Sequence, residues 1–145
     1  MIKKSLAVLL AVVMVLASFP MLAFATTEAE KPADGTTQGQ PFVSGNPSQN
    51  YRIPCLVTMN DGTLVAAADA RWNSTADGGG NDTIVSRSAD NGTTWNYTMA
   101  NYYGDNGNEF NKASTGFCDS ELATDGENLY MLSLFFPAGV AINSD

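Results

Sequence analysis

Arg52, Arg71 and Asp77 are the side chains of this sequence whose types and spacing could do chemistry. A guanidinium is planar and can make two parallel hydrogen bonds to a carboxylate, which a lysine point charge cannot. A nearby aspartic acid could hand a proton to a departing oxygen, provided its pKa sits near the working pH. Arg52 stands in Tyr51-Arg52-Ile53-Pro54, where Pro54 predicts β or polyproline backbone at Ile53. Asp77 follows Arg71 by six residues in the Gly-rich stretch from Trp72 to Asn81, and Gly78-Gly79-Gly80 would let that loop close over a ligand. Asp82 is the rival proton donor, but it leads directly into a strand pattern and reads as a turn residue. Asp119, in Phe117-Cys118-Asp119-Ser120, is a fourth candidate that reads equally well as a turn aspartate before a strand.

Other chemistries are excluded by composition. The sequence has no histidine, which removes Ser-His-Asp triads, Cys-His pairs and the common histidine zinc sites. No phosphate-cradling Gly-rich motif is present, and no cofactor or metal is expected. Cys55 and Cys118 are too few to hold zinc; a disulfide between them is geometrically possible, and two small buried thiols are the simpler reading.

The elements that must position these residues read as short strands. Cys55 to Met59, Thr63 to Ala68, Asp82 to Ser88 and Asn128 to Phe136 are apolar or alternating runs, and Trp95 begins another. Asn60-Asp61-Gly62 and Asp125-Gly126 between them are turn sequences that accept positive φ cheaply. No amphipathic helix of ten or more residues stands out after residue 26. The fold class is all-β: a sandwich, barrel or propeller. In Ser88-Ala89-Asp90-Asn91-Gly92-Thr93-Thr94-Trp95, Ser88 and Asp90 can bond their own backbone, Gly92 permits positive φ and Trp95 packs inward, a structural rather than catalytic turn.

Tyr51-Arg52-Ile53-Pro54 followed by that S-x-D-x-G-x-T-W turn resembles the bacterial-type sialidase (neuraminidase) family, whose first-arginine motif and Asp box these are. The resemblance covers roughly Phe42 to Gly139. It implies a six-bladed β-propeller, of which the chain would hold two to three blades, and the release of terminal sialic acid from glycoconjugates by a retaining mechanism. Arg52 matches the first of three arginines that grip the sugar's carboxylate. Arg71 matches the arginine near the 4-hydroxyl, Asp77 the acid/base, and Asp119, more weakly, an acid near the 4-hydroxyl. The family's tyrosine nucleophile, its glutamate partner and the two remaining carboxylate-binding arginines have no match here, since no arginine follows Arg87. An intramolecular trans-sialidase would share every matched residue. A non-catalytic Asp-box propeller binding glycans or proteins would explain the turn but not the Arg52, Arg71 and Asp77 set.

The start of the chain reads as an export signal. Lys3 and Lys4 precede the apolar run Leu6 to Ala17, and Ala23-Phe24-Ala25 offers a cleavage site, so residues 1–25 are expected to be removed and the protein to be secreted or cell-surface. The run is shorter than the ~20 residues of a membrane span. Residues 26–41 read as a flexible linker and 42–145 as an incomplete propeller domain. Losing Lys3 and Lys4 leaves five cations against fifteen acids, a net charge of −10. So acidic a chain argues against nucleic acid as a partner and for sialylated glycans only through the resemblance. About 120 residues at ~40–50 per blade cannot close a propeller. The expectation is therefore an N-terminal fragment of a longer protein, inactive by itself.

Overall fold

The structure, a computed structural model, describes residues 31–72, 74–77, 80–103 and 116–136. The expected signal segment, Asn73, Gly78, Gly79 and everything after Phe136 lie outside the described residues. All the regular structure described is β, as the sequence predicts.

The strands are β1 (Gly35–Gln38), β2 (Asn50–Thr58), β3 (Leu64–Arg71), β4 (Asn81–Ser88), β5 (Thr94–Asn101), β6 (Gly116–Thr124) and β7 (Leu129–Phe136). Five form one antiparallel sheet in the order β1-β5-β4-β3-β2. The β6–β7 hairpin, in effect a second, two-stranded sheet, joins this first one through a single parallel bridge, Asn81 to Gly116. Asn60 N–H also donates to Gly126 O at 2.9 Å, tying the β2–β3 turn to the β6–β7 turn.

One face of the first sheet is its core. Ala68, Ala70, Ile84, Tyr97 and Met99 are buried there, with Phe42, Tyr51, Trp72 and Tyr102 packed against them. Small alanines on β3 leave room for these rings, and Phe42 stacks on Tyr51 at 5.4 Å between centroids. The Tyr51 hydroxyl donates to Asn46 O (2.7 Å) and accepts from Ser48 N–H (3.0 Å). It anchors the segment before β2, and burial pushes its pKa to about 12.

Three local expectations change. First, β1 lies inside the stretch read as a linker: Thr37 is buried, and Gly35–Gln38 pairs with β5 from Tyr97 back to Thr94. Its sequence is polar, and its strand character comes from the partner rather than from local preference. Second, Asp119 lies within β6, not in a turn before a strand. Third, Ile53 is not extended but has φ 52°, in the left-handed region, despite the proline after it. A β-bulge between Arg52 and Cys55, where three steps on β2 oppose two on β3, overrides the preproline preference.

The same device recurs in β6. A bulge separates Cys118 from Glu121, and the residue after Cys118, Asp119, has φ 49°. Each bulged strand leads through an Asp-Gly turn into a partner, so β6–β7 repeats the plan of β2–β3.

Gly116, with φ 152°, lies where a Cβ would run into the Asn81 backbone. Gly116→Ala is expected to force the hairpin off β4 and cost about 1–3 kcal/mol, as overpacking does. Urea unfolding of the variant beside the parent chain checks this.

Candidate active site

Strand register does most of the positioning. Arg52 on β2 is paired with Asp69 on β3, and directly paired residues share a face. Arg71 is two residues beyond Asp69 and so lies on that face too. This is the face opposite the Ala68 and Ala70 core, at one end of the sheet. The bulge directly after Arg52 bends β2 there, which is how bulges re-aim side chains beside functional sites.

The structure brings Arg52, Arg71 and Asp77 into direct contact. Asp77 Oδ1 accepts from Arg52 Nη1 at 2.9 Å and from Arg71 Nη1 at 2.7 Å. The same two nitrogens donate to Thr75 O at 3.0 and 2.9 Å, so the loop is clamped by both arginines. Trp72 N–H donates to Gly80 O at 3.1 Å and Asn81 Nδ2 to Asp77 O at 3.3 Å, which closes the loop's base.

Asp69 is the buried member of the cluster that motif reading misses. Its Oδ2 accepts from Arg71 Nη2 (2.7 Å) and Nε (3.3 Å), and its Oδ1 accepts the main-chain N–H of Asp119 at 2.9 Å. One fully buried carboxylate thus holds an arginine of the first sheet and the bulge of the second. Spacing could have found it, since Asp69 and Arg71 are i and i+2 on one strand. Asp119 reaches the cluster through its backbone at that bulge.

Exposure divides the cluster in two. The Arg71 and Asp69 side chains are 2% and 0% exposed, whereas Arg52 and Asp77 are 42% and 66% exposed. Hydrogen bonding and charge from Arg71, reinforced by Arg52, hold the Asp77 carboxyl below the usual carboxylate range. Burial pushes the Asp69 carboxyl up, against the opposing pull of Arg71. Cys118 beside it is a neutral thiol raised to about 12, first by burial and then by Asp119 and Asp69. Cys118 and Cys55 are both free, and Cys55 Sγ donates to Ser120 O at 3.1 Å.

Asp82 does structural work. Its Oδ2 accepts from Trp72 Nε1 at 2.7 Å and its Oδ1 from Tyr103 N–H at 2.7 Å, so it fixes the two aromatic-bearing segments flanking the sheet. The Ser88 to Trp95 turn is also self-contained. Ser88 Oγ donates to Asp90 Oδ1 (2.8 Å) and accepts from Gly92 N–H (2.9 Å), and Thr94 N–H donates to Asp90 Oδ1 (2.8 Å). Asn91 and Gly92 take positive φ, and Trp95 Nε1 donates back to Gly92 O at 3.0 Å.

Asp61 and Asp125 cap the hairpin turns in the same way, and hydrogen bonds lower the pKa of Asp61, Asp90 and Asp125. A depressed folded-state pKa contributes stability that is complete above the unfolded value and lost as pH falls through the folded one. The urea midpoint is therefore expected to fall as pH drops from about 5 towards 2, and less steeply in Asp90→Asn.

A cavity of about 900 Å³ lies at the far end of β3, among Val65, Val85, Arg87, Asn96, Thr98 and Leu129. None of the site residues lines it. Among the described residues no three His, Cys, Asp or Glu side chains are grouped to hold a metal, and no helix is long and apolar enough to cross a membrane.

No family model matches the sequence. A sialidase of Paraclostridium sordellii is 44% identical over 50 residues, which is 34% of this chain and 12% of that protein. Among solved structures, a point mutant of the NanB sialidase of Streptococcus pneumoniae superposes with TM-score 0.61 and 27% identity, over 74% of this chain and 19% of its own. The intramolecular trans-sialidase of Ruminococcus gnavus, in complex with oseltamivir carboxylate, also gives TM-score 0.61 and 27% identity, over 71% and 25%. The chain thus spans a quarter or less of the proteins it resembles. These likenesses support the sialidase family, and the open all-β sheet fits a β-propeller enzyme.

Proposed function

We propose that this chain supplies the first blades of a six-bladed propeller in an exo-α-sialidase, a secreted or cell-surface retaining glycosidase that releases terminal sialic acid from glycoconjugates. The observation that carries this reading is the meeting of Arg52, Arg71 and Asp77 at one sheet end, in a chain similar to sialidases. Arg52 is exposed enough to offer its fork to a carboxylate, and Asp77 is within a loop's movement of the same ligand. Arg71, fixed by Asp69, and the Asp119 bulge flank the position where the ring's 4-hydroxyl would lie.

In this reading Asp77 protonates the departing oxygen and later activates water. A tyrosine attacks the anomeric carbon, the stated exception among retaining glycosidases. A neutral phenol suits a centre that already bears a carboxylate, because an anionic nucleophile would be repelled. That tyrosine, its glutamate partner and two further arginines belong to blades beyond the present sequence. The isolated 145 residues are accordingly inactive.

The test is a sialoside assay on the protein encoded by the reading frame that contains this sequence. Turnover of a fluorogenic α-sialoside is expected there and none from the 145 residues alone. Failure of the longer protein to turn over any sialoside would refute the reading. The likeness to an intramolecular trans-sialidase favours one second reading. Free sialic acid as product identifies the hydrolase, and an internally cyclised sugar identifies the transferase.

A further inference from the structure

Asp77 is bonded to Arg52, the arginine that the proposed function gives to the substrate's carboxylate. Its Oδ1 takes hydrogen bonds from Arg52 Nη1 and Arg71 Nη1 at 2.9 and 2.7 Å. The bonded charges balance: two arginines face two aspartates, Asp69 and Asp77. Only part of this network can exchange. Arg71 and Asp69 are locked in the interior, whereas the Arg52–Asp77 pair is solvated and, like other exposed pairs, weakly held.

We infer that Asp77 is the resting counter-ion of Arg52, that a ligand carboxylate displaces it, and that the displaced Asp77 takes up a proton from solvent, so that substrate binding itself loads the acid. The inference rests on the sialidase reading and extends it. It resolves a mismatch in the resting site, where two arginines hold Asp77 ionised although a general acid must carry a proton. An arriving carboxylate takes Arg52 Nη1 from Asp77 and sets a like charge beside it, and both changes favour the protonated form against the remaining bond to Arg71. The groups bonded to Asp77 are Arg52 from β2 and Arg71 from β3, and Asp69 holds the other side of Arg71. Behind Asp69 stand Asp119 and the neutral thiol Cys118 of β6. Among the described residues, the one further acid in direct contact with an arginine of this cluster is the buried Asp69, so it is the rival proton acceptor.

The sign follows from linkage. If binding raises the pKa of Asp77, the proton is taken up between its free and bound values, and affinity weakens as pH rises through that window. Calorimetry of the protein whose reading frame contains this sequence with sialic acid, in buffers of different ionisation enthalpy, counts the protons, and proton NMR at millimolar ligand reports binding independently. Wild type is expected to take up close to one proton per ligand near the upper edge of the carboxylate range. Asp77→Asn is expected to take up none, to bind several-fold more tightly at pH 7 because the internal competitor has lost its charge, and to bind with an affinity flat in pH. The methyl ester of sialic acid should cause no uptake in either protein. Binding without uptake, uptake that survives in Asp77→Asn, or weaker binding by that variant each overturns the inference while leaving the sialidase reading in place. No binding to either protein, or equal binding by Arg52→Ala, overturns both.

Discussion

Asp77→Ala, made in the protein that contains this sequence, is expected to lower kcat for a natural sialoside by about 10²–10⁴-fold, the usual size of a general-acid contribution. The loss should be much smaller for a fluorogenic sialoside, whose phenolate leaves without help. That contrast separates loss of an acid from loss of the fold, which would depress both substrates alike. Arg52→Lys in the same protein is expected to fall mainly in kcat/KM, by roughly thirtyfold or more, because a point charge replaces a fork at a carboxylate. The two sides of the Arg52–Asp77 contact thus have distinct kinetic signatures. Near-normal turnover in both variants would sink the site assignment.

Asp69→Ala is expected to have the largest effect on stability, about 3–5 kcal/mol, the cost of removing one partner from a buried ion pair. The Arg71 guanidinium would keep its charge at 2% exposure and lose both bonds to Oδ2. Asp77, on a solvated loop, is left as its remaining carboxylate partner. The Asp119 N–H would lose its acceptor as well, so the damage crosses from the first sheet to the second. Asp69→Asn keeps the shape and can still accept from Asp119, and it should cost less than the alanine. Urea unfolding of the three proteins tests the order. An alanine variant as stable as the parent would show that Arg71 relaxes into solvent.

Much of this was legible in the sequence, and where it was not the cause is physical. The Ser88 to Trp95 turn reads out directly because its bonds are local, running from Ser88 and Asp90 to residues at most four away. Arg52, Arg71 and Asp77 are visible as a set because their side chains carry the chemistry. Asp69 is not, since it stands in a run of alanines that reads as apolar strand, and its partners lie two residues along and in another sheet. The strands β1 and β6 escape for a related reason. Gly35–Gln38 is polar, and the bulge in β6 breaks the alternation that marks a strand. The left-handed Ile53 is the plainest failure of local reasoning. Preproline sterics favour extension, and the pairing of Arg52 with Asp69 and of Cys55 with Ala67 leaves one residue too many between them.

The join between the two sheets carries one more consequence. Thr83 Oγ1 meets Ser120 Oγ at 2.7 Å, Ser120 Oγ meets Ser133 Oγ at 2.7 Å, and Asn101 Nδ2 donates to Ser133 at 3.1 Å. Among the described residues the β6–β7 hairpin is thus held to β4 and β5 by a file of hydroxyls. Exposing polar surface lowers heat capacity while exposing apolar surface raises it. Parting the sheets here should therefore absorb heat with little change in heat capacity, whereas melting the alanine and aromatic core of the first sheet should show a large one. A calorimeter would see the two events as different in kind: the heat absorbed on parting the sheets would be nearly the same at every temperature, whereas that of melting the core would grow as the temperature rises.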